Sequence, residues 1–228
     1  MARIMGDELS ERRVGEIDAW CQRHEIACLY FLARADHPET TTTAEAYDFH
    51  LTDVRLTFER EALAITELPR HEALIRPSRP EEIPVLQAIA RQNHHDTRFY
   101  FDQRFPRQGC DELYASWIAN ACRGNAGVVF VAEVDGRAAG YTSCRLAGDG
   151  LGVLGLVGIS GTARGKALGP ALVHTAVEWL GQHGAARVQV ATQARNEAGQ
   201  RLYQRCGFVT RHVQVWYHKW YLSPELAW

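Results

Sequence analysis

The chain has 228 residues, of which 46% are hydrophobic and 23% are charged, and its formal net charge is -2. This composition is typical of a soluble globular protein with one large domain, or one domain plus a small one. The low net charge gives no reason to expect nucleic acid or an anionic membrane surface as a partner. We expect no membrane span, because no apolar run approaches the ~20 residues that a bilayer requires.

The six cysteines are scattered without CxxC pairs, and no positively charged start followed by an apolar stretch indicates a secretion signal. We therefore expect reduced thiols that fill the core of a cytoplasmic protein. The histidine-rich stretch that begins at His94 could suggest a metal site, but no third well-placed ligand lies elsewhere, so no metal is predicted.

The N-terminal part of the chain alternates helical and strand-like stretches. Apolar residues recur at helical spacing from Val14 to Cys21, and the run from Ile26 to Leu32 is typical of a strand. A short helix and another strand follow. We predict a smaller N-terminal α/β half-domain over residues 1–70 and a second domain over residues 71–228, joined by a charged stretch with several prolines that includes Pro69.

The second part of the chain predicts a mixed, mostly antiparallel sheet flanked by helices, because a run of hairpin-like strands precedes alternating helices and strands. Asp135 and Gly136 separate two strand-like runs, which is a strong hairpin signal. No fixed-period repeat is evident. In chain order we predict a strand at 73–76, helices at 78–93 and 110–124, three strands between 128 and 159, a helix at 165–183, a strand at 187–192, a helix at 196–206 and a pair of strands over 208–221.

A glycine-rich turn between the third strand and the long helix, Arg164–Gly169, carries the strongest chemical signal. Small residues at Gly165, Ala167 and Gly169 leave room for a ligand, and Arg164 and Lys166 add positive charge. The first N–H groups of a helix have no partner in the helix, and together with the helix dipole they attract anions. The turn therefore predicts a pyrophosphate site.

Two other nucleotide-binding motifs do not fit this turn. A Walker P-loop needs glycine where this chain has Ser160, and Ser or Thr where it has Ala167. A dinucleotide fingerprint needs GxGxxG in an early βαβ unit, whereas hairpin-like strands precede this turn. A different pyrophosphate-binding family is indicated.

The segment RGKALG resembles the pyrophosphate loop of the GCN5-related N-acetyltransferases (GNAT), although Ala167 stands where that family usually has glycine. The downstream segment VQVATQARNEAGQRLYQRCGF resembles the second signature of the family. The resemblance implies a GNAT fold from about Leu74 to Tyr221, with acetyl-CoA as acyl donor. It implies that the acyl donor is bound by the end of a strand, by the glycine-rich turn with the start of its helix, and by the predicted helix at 196–206. The residues are Leu156, Val157, Gly158, Ile159, Arg164, Gly165, Lys166, Ala167, Leu168, Gly169, Pro170, Asn196 and Tyr203.

By the same resemblance, Tyr203 is the catalytic residue that protonates the departing thiolate, and Asn196 contacts the pantetheine arm. The two residues lie about two helical turns apart, so both can face one cleft. A main-chain N–H near Val157 or Ile159 is expected to polarise the thioester carbonyl, and Gly155 and Gly158 indicate a bulge in that strand.

The aromatic and charged stretch after residue 92 predicts an acceptor site. Aromatic rings suit stacking and an arginine suits phosphate, so we expect this loop to bind the acceptor through Arg98, Tyr100, His94 and Asp96. A surface loop packed by its own phenylalanines is the alternative. His94, Asp96, Glu133 or a water chain are all candidates for the general base.

Similarity to family members that modify nucleotide-linked amino sugars implies an acceptor such as dTDP-4-amino-4,6-dideoxygalactose and a role in polysaccharide biosynthesis. Alternatives are another amine, such as an aminoglycoside, a polyamine or a protein N-terminus, or a non-catalytic acyl-CoA-binding module. The alternating C-terminal segment VQVWYHKWYL indicates sheet packing or a homodimer surface.

Overall fold

A computed structural model describes residues 1–63 and 70–221, and within them a single sheet of nine strands is flanked by helices on both faces. The strands are β1 (Ala2–Arg3), β2 (Cys28–Arg34), β3 (His50–Glu61), β4 (Leu74–Pro77), β5 (Val128–Val134), β6 (Arg137–Leu146), β7 (Leu151–Ile159), β8 (Arg187–Gln193) and β9 (Val209–Trp220). The helices are α1 (Glu11–Arg23), α2 (Pro38–Ala46), α3 (Ile83–Arg91), α4 (Arg98–Phe101), α5 (Arg107–Asn120), α6 (Leu168–Gln182) and α7 (Glu197–Arg205). In this part of the chain, no helix has the length and apolar character needed to cross a bilayer.

The strand order is β1-β2-β9-β3-β8-β7-β6-β5-β4. Only β1 with β2 and β7 with β8 run parallel, and the other neighbouring pairs are antiparallel. This confirms the predicted mixed, mostly antiparallel sheet. The DG hairpin is also confirmed, because Asp135 and Gly136 both have positive φ between β5 and β6.

Helices cover both faces of the sheet, with a different apolar cluster on each. Buried residues of α6 and α7, such as Leu172 and Leu180, pack on one face. On the opposite face α3, α4 and α5 pack against β5 and β6, with Leu86 and Ile118 fully buried. Each such side chain contributes about 1.5–3 kcal/mol of burial free energy, so the two layers fix the sheet between them.

Strand β3 joins the N-terminal segment to the rest of the sheet. It lies between β8 and β9 and pairs antiparallel with both. The predicted pair of strands over 208–221 is wrong for this reason: one strand, β9, runs through Val209–Trp220, and β3 supplies its neighbour. The division at residues 70 and 71 stays a prediction, and the adjoining residues 64–69, with Pro69, lie outside the described residues.

The N-terminal segment also repeats the architecture of the C-terminal one. Strand β2, helix α2 and strand β3 have 7, 9 and 12 residues, and so do β8, α7 and β9. Each set follows a helix, and both short helices are capped in the same way, with the side chains of His37 and Asn196 accepting from the backbone N–H groups of Thr40 and Gly199. The chain therefore contains a structural repeat that its sequence pattern does not reveal.

Candidate active site

The site begins where two parallel strands separate. Strands β7 and β8 pair only from Leu151 to Leu154 on the β7 side. Beyond Leu154 a register shift marks a bulge in β7, as predicted, and the N–H of Leu156 donates to the Ser143 hydroxyl at 2.9 Å. From here β7 follows β6 alone, which leaves one edge of its last residues open.

The direction of the backbone groups on this open edge follows from strand alternation. The N–H of Ser160 donates to the carbonyl of Ala139 in the β6 hairpin, and Gly158 lies opposite Tyr141. Because N–H groups of successive residues point to alternate sides of an antiparallel strand, the N–H groups of Val157 and Ile159 face the opening. They include the main-chain N–H, near Val157 or Ile159, that the family resemblance implies for the thioester carbonyl, and that role stays a prediction.

A cavity of about 850 Å³ occupies the opening between β7, the start of α6 and α7. It brings together most of the predicted site residues: His94, Asp96, Val157, Ile159, Arg164, Gly165, Ala167, Leu168, Gly169, Pro170, Asn196 and Tyr203. Five others lie outside its lining: Leu156, Gly158, Arg98, Tyr100 and Lys166.

The glycine-rich turn forms one end of the cavity. Gly165 has φ +82°, and Ala167 adopts the left-handed conformation with φ 56° and ψ 19°. The helix therefore begins at Leu168, three residues later than predicted. Ala167 offers no capping side chain, so the first N–H groups of α6 stay available to an anion. Pro170 sits in the first turn, where its missing N–H costs no hydrogen bond.

Helix α7 supplies Asn196 and Tyr203. Asn196 caps the helix: its side-chain oxygen accepts from the N–H of Gly199 at 2.8 Å, and its amide donates to the Thr192 hydroxyl at 3.0 Å. The ring of Tyr203 packs near Phe58 and Phe208 and lines the cavity. Burial raises the pKa of Tyr203 above its usual value, so its hydroxyl stays protonated at neutral pH and can donate a proton.

Basic residues that the sequence does not single out also line the cavity. Arg60 reaches it from β3, with its guanidinium bonded to the carbonyl of Cys206 and lying 5.8 Å from the Phe208 ring centre. His174 lies on α6, and Arg201 and Arg205 extend from α7. The i, i+4 spacing of the two α7 arginines is a signal that could have identified them. For Arg60 the sequence carries no such signal, because its place at the cavity depends on the pairing of β3 with distant strands.

The segment before α4 forms the opposite end of the cavity. The Asn93 amide donates to the carbonyl of Ile159 at 3.2 Å and so ties this segment to the last residue of β7. His94 has φ 64°, its Nε2 lies 3.1 Å from the Tyr141 hydroxyl, and its ring stacks on Tyr114 at 4.8 Å. Burial lowers the pKa of His94 to about 4, with a smaller effect from His95, so the imidazole is neutral at pH 7.

Arg98 and Tyr100 lie in α4 and not on the cavity wall. The guanidinium of Arg98 is 4.0 Å from the Trp216 ring centre and 4.1 Å from that of Phe99, which is a cation–π arrangement. The Tyr100 hydroxyl donates to Asp111 at 2.5 Å. Their predicted contacts with an acceptor stay predictions, and their surroundings favour packing.

Other candidate groups take structural positions. Glu133 forms an ion pair with Arg76, away from the cavity lining. All six cysteines are free thiols, and burial raises the pKa of Cys206, which lines the cavity, to about 11. A cysteine in this state is a core side chain and not a nucleophile. No cluster of three or more His, Cys, Asp or Glu able to hold a metal ion occurs in the described residues.

Comparison with known proteins supports the resemblance. The model of the Acetyltransferase (GNAT) family matches residues 89–208. The Bacillus subtilis spore coat polysaccharide biosynthesis protein SpsD is 27% identical over 63% of this chain and 50% of its own length. The Escherichia coli dTDP-fucosamine acetyltransferase is 27% identical over 60% of this chain and 59% of its own length. The chain thus spans less than two thirds of either relative.

A solved structure of a GCN5-related N-acetyltransferase from Sphaerobacter thermophilus has the same fold. It superposes with a TM-score of 0.67 at 16% identity and covers 92% of this chain and 67% of that one. GNAT enzymes use acetyl-CoA, a thioester whose pantetheine arm is joined to a pyrophosphate, as acyl donor. Because the family model covers more than half of the chain, this protein belongs to the acetyltransferase (GNAT) family.

Proposed function

We propose that this chain transfers the acetyl group of acetyl-CoA to the amine of a nucleotide-linked amino sugar, such as dTDP-4-amino-4,6-dideoxygalactose, in polysaccharide biosynthesis. The observation that supports acetyl transfer is a single cavity lined by the glycine-rich turn, the open edge of β7 and Tyr203. The names of SpsD and dTDP-fucosamine acetyltransferase support the acceptor class.

The acyl donor would be held along the cavity from end to end. The N–H groups at the start of α6, with Arg164 and Lys166 nearby, suit its pyrophosphate. The edge of β7 from Leu156 to Ile159 suits its pantetheine arm, because backbone groups there have no strand partner on one side. Asn196 would act mainly by fixing the start of α7, since its side chain is already engaged in capping.

Direct attack by the amine needs two groups from the protein. As the nitrogen bonds to the thioester carbon, negative charge develops on the carbonyl oxygen, and the N–H groups of Val157 and Ile159 face the place where it would form. One such donor is worth roughly 2.7–4 kcal/mol of transition-state stabilisation. As the C–S bond breaks, Tyr203 would give its hydroxyl proton to the sulfur, a general-acid contribution of about 10²–10⁴-fold.

A substrate panel tests the acceptor class. The full chain would be incubated with acetyl-CoA and, in turn, dTDP-4-amino-4,6-dideoxygalactose, its UDP counterpart, kanamycin, spermidine and a peptide with a free N-terminus, while release of the CoA thiol is followed. We expect kcat/KM to be highest for the nucleotide sugars. Turnover of another amine with none of the sugars would contradict the acceptor class, and acetyl-CoA binding without any turnover would favour a non-catalytic module.

The charge of the cavity bears on the alternative acceptors. Among the described residues that line it, four are arginines and only Asp96 is a carboxylate. An aminoglycoside or polyamine carries several positive charges and would need an acidic pocket. The cavity lacks the acidic lining that either polycation would need, and its arginines lie on β3, the glycine-rich turn and α7, the side on which the acyl donor would be held.

A further inference from the structure

The family resemblance does not identify the general base that takes a proton from the amine. His94, a side chain of the cavity wall, has the position and contacts that this role requires. His94 lines the cavity. Its Nε2 is engaged with the Tyr141 hydroxyl at 3.1 Å. Its Nδ1 has no hydrogen-bond partner among the described residues and is not a fully buried atom, so it has access to solvent.

The imidazole is tied to the strand that would hold the thioester. Tyr141 lies opposite Gly158 in the pairing of β6 with β7. A Cβ placed on Gly158 would come within 2.8 Å of the Tyr141 hydroxyl, so that hydroxyl rests directly against the β7 backbone. Gly158 stands between Val157 and Ile159, the two residues whose N–H groups face the opening. A single hydrogen bond, between His94 and Tyr141, therefore connects the imidazole to the part of β7 that carries the N–H groups of Val157 and Ile159.

Tyr203 and the pair of His94 and Tyr141 belong to opposite faces of the sheet. Tyr203 is part of the apolar cluster beneath α6 and α7, whereas Tyr141 is part of the cluster beneath α3 and α5. The opening between β7 and β8 lies between them. A thioester in this opening would have a proton donor on one side and a proton acceptor on the other.

We propose that His94 is the general base of the reaction and that Tyr141 is its positioning residue, an inference that rests on the proposed direct attack. The Nε2–H of His94 donates to the Tyr141 hydroxyl oxygen, which leaves the Nδ1 lone pair facing the cavity. As the N–C bond forms, a proton of the attacking nitrogen passes to Nδ1. The C–S bond breaks, the sulfur takes the proton of Tyr203, and the proton on His94 returns to Tyr203 through solvent.

The electrostatic state of His94 suits this role and limits it. With its pKa lowered to about 4, the imidazole is unprotonated at neutral pH and ready to accept. It is too weak a base to deprotonate a free ammonium group, so the acceptor has to bind as the neutral amine. The nitrogen becomes strongly acidic only as it bonds to carbon, and this is when His94 takes its proton.

The backbone of His94 allows a clean test. Because φ is 64°, glycine fits this position without strain, so His94→Gly removes the imidazole and preserves the turn. We expect kcat to fall at least 100-fold, the Kd for acetyl-CoA to change less than twofold, and added imidazole to restore at least tenfold of the lost rate. Tyr141→Phe should lower kcat about tenfold. His212→Gln, an exposed histidine on β9 outside the cavity lining, is the matched control and should match the wild type.

The outcomes separate this inference from the proposed function. The assay uses the dTDP amino sugar or, if the wild type rejects it, the best amine of the panel, so a wrong acceptor class leaves the histidine test intact. Activity of His94→Gly within threefold of the wild type would overturn the role of His94. So would a loss of activity that imidazole does not rescue while acetyl-CoA still binds, because that result indicates packing alone.

Discussion

At the scale of single residues, Ala167 is the clearest departure from the family motif. It adopts a left-handed conformation that costs a non-glycine residue roughly 1–2 kcal/mol. The turn keeps its shape because Gly165 takes the other positive φ and α6 begins immediately after Ala167. The alanine is therefore tolerated at a cost in stability and not through a different loop geometry.

Replacing this alanine tests the cost. In Ala167→Gly the strain disappears while the unfolded chain gains about 0.4–1 kcal/mol of conformational entropy, so the free energy of unfolding should stay equal or rise by up to about 1.6 kcal/mol. Urea unfolding measures the change. Ala171→Gly, buried inside α6, is the matched control and should lose about 1 kcal/mol or more. A loss of more than 1 kcal/mol in Ala167→Gly would mean that the left-handed turn is absent.

At the scale of elements, the structural repeat allows the two halves of the chain to be compared as candidate acetyl-CoA sites, and we propose that only the C-terminal half binds the donor. Gly6 has φ +86° and precedes α1 as Gly165 precedes α6, but Asp7 and Glu8 follow it in place of basic residues. The Thr40 hydroxyl accepts from the N–H of Leu9 at 3.0 Å and so occupies a donor near the start of α1. Ala44 takes the position in α2 that Tyr203 has in α7.

One binding site per chain is the consequence. Isothermal titration with acetyl-CoA should give a stoichiometry of one. At the N-terminal turn, Asp7 and Glu8 would repel a pyrophosphate and the Leu9 N–H is already bonded to the Thr40 hydroxyl. Gly165→Val, which places a β-branched side chain at positive φ, should remove all detectable binding. A stoichiometry of two, or a second site that survives in Gly165→Val, would contradict this assignment.

At the scale of the whole molecule, local signals predict the site better than they predict the sheet. The glycine-rich turn, the cap at Asn196 and the position of Tyr203 depend on residues close in sequence, and their spacing makes them recognisable. The insertion of β3 between β8 and β9 depends on pairing between distant strands, which periodicity does not encode. Arg60 enters the cavity only through that pairing, so it could not be identified beforehand.

Packing between residues that are distant in sequence also determines which side chains of the aromatic loop reach the cavity. Its composition suggests a binding surface, but Arg98 finds the ring of Trp216 on β9, more than a hundred residues away. His94 packs against Tyr141 and Tyr114 in the same manner, yet it also lines the cavity. Sequence pattern indicates which residue types a loop offers, while long-range contacts select those that reach the site.

We propose that Tyr203 delivers a proton to the departing thiolate in this cavity, and Tyr203→Phe removes only the hydroxyl that would supply it. The hydroxyl has no hydrogen-bond partner within the described residues, so its removal should leave folding and the Kd for acetyl-CoA nearly unchanged. With the best amine of the panel, steady-state kinetics should show a fall in kcat of about 100-fold or more. A kcat within threefold of the wild type would contradict the role of Tyr203 as the proton donor.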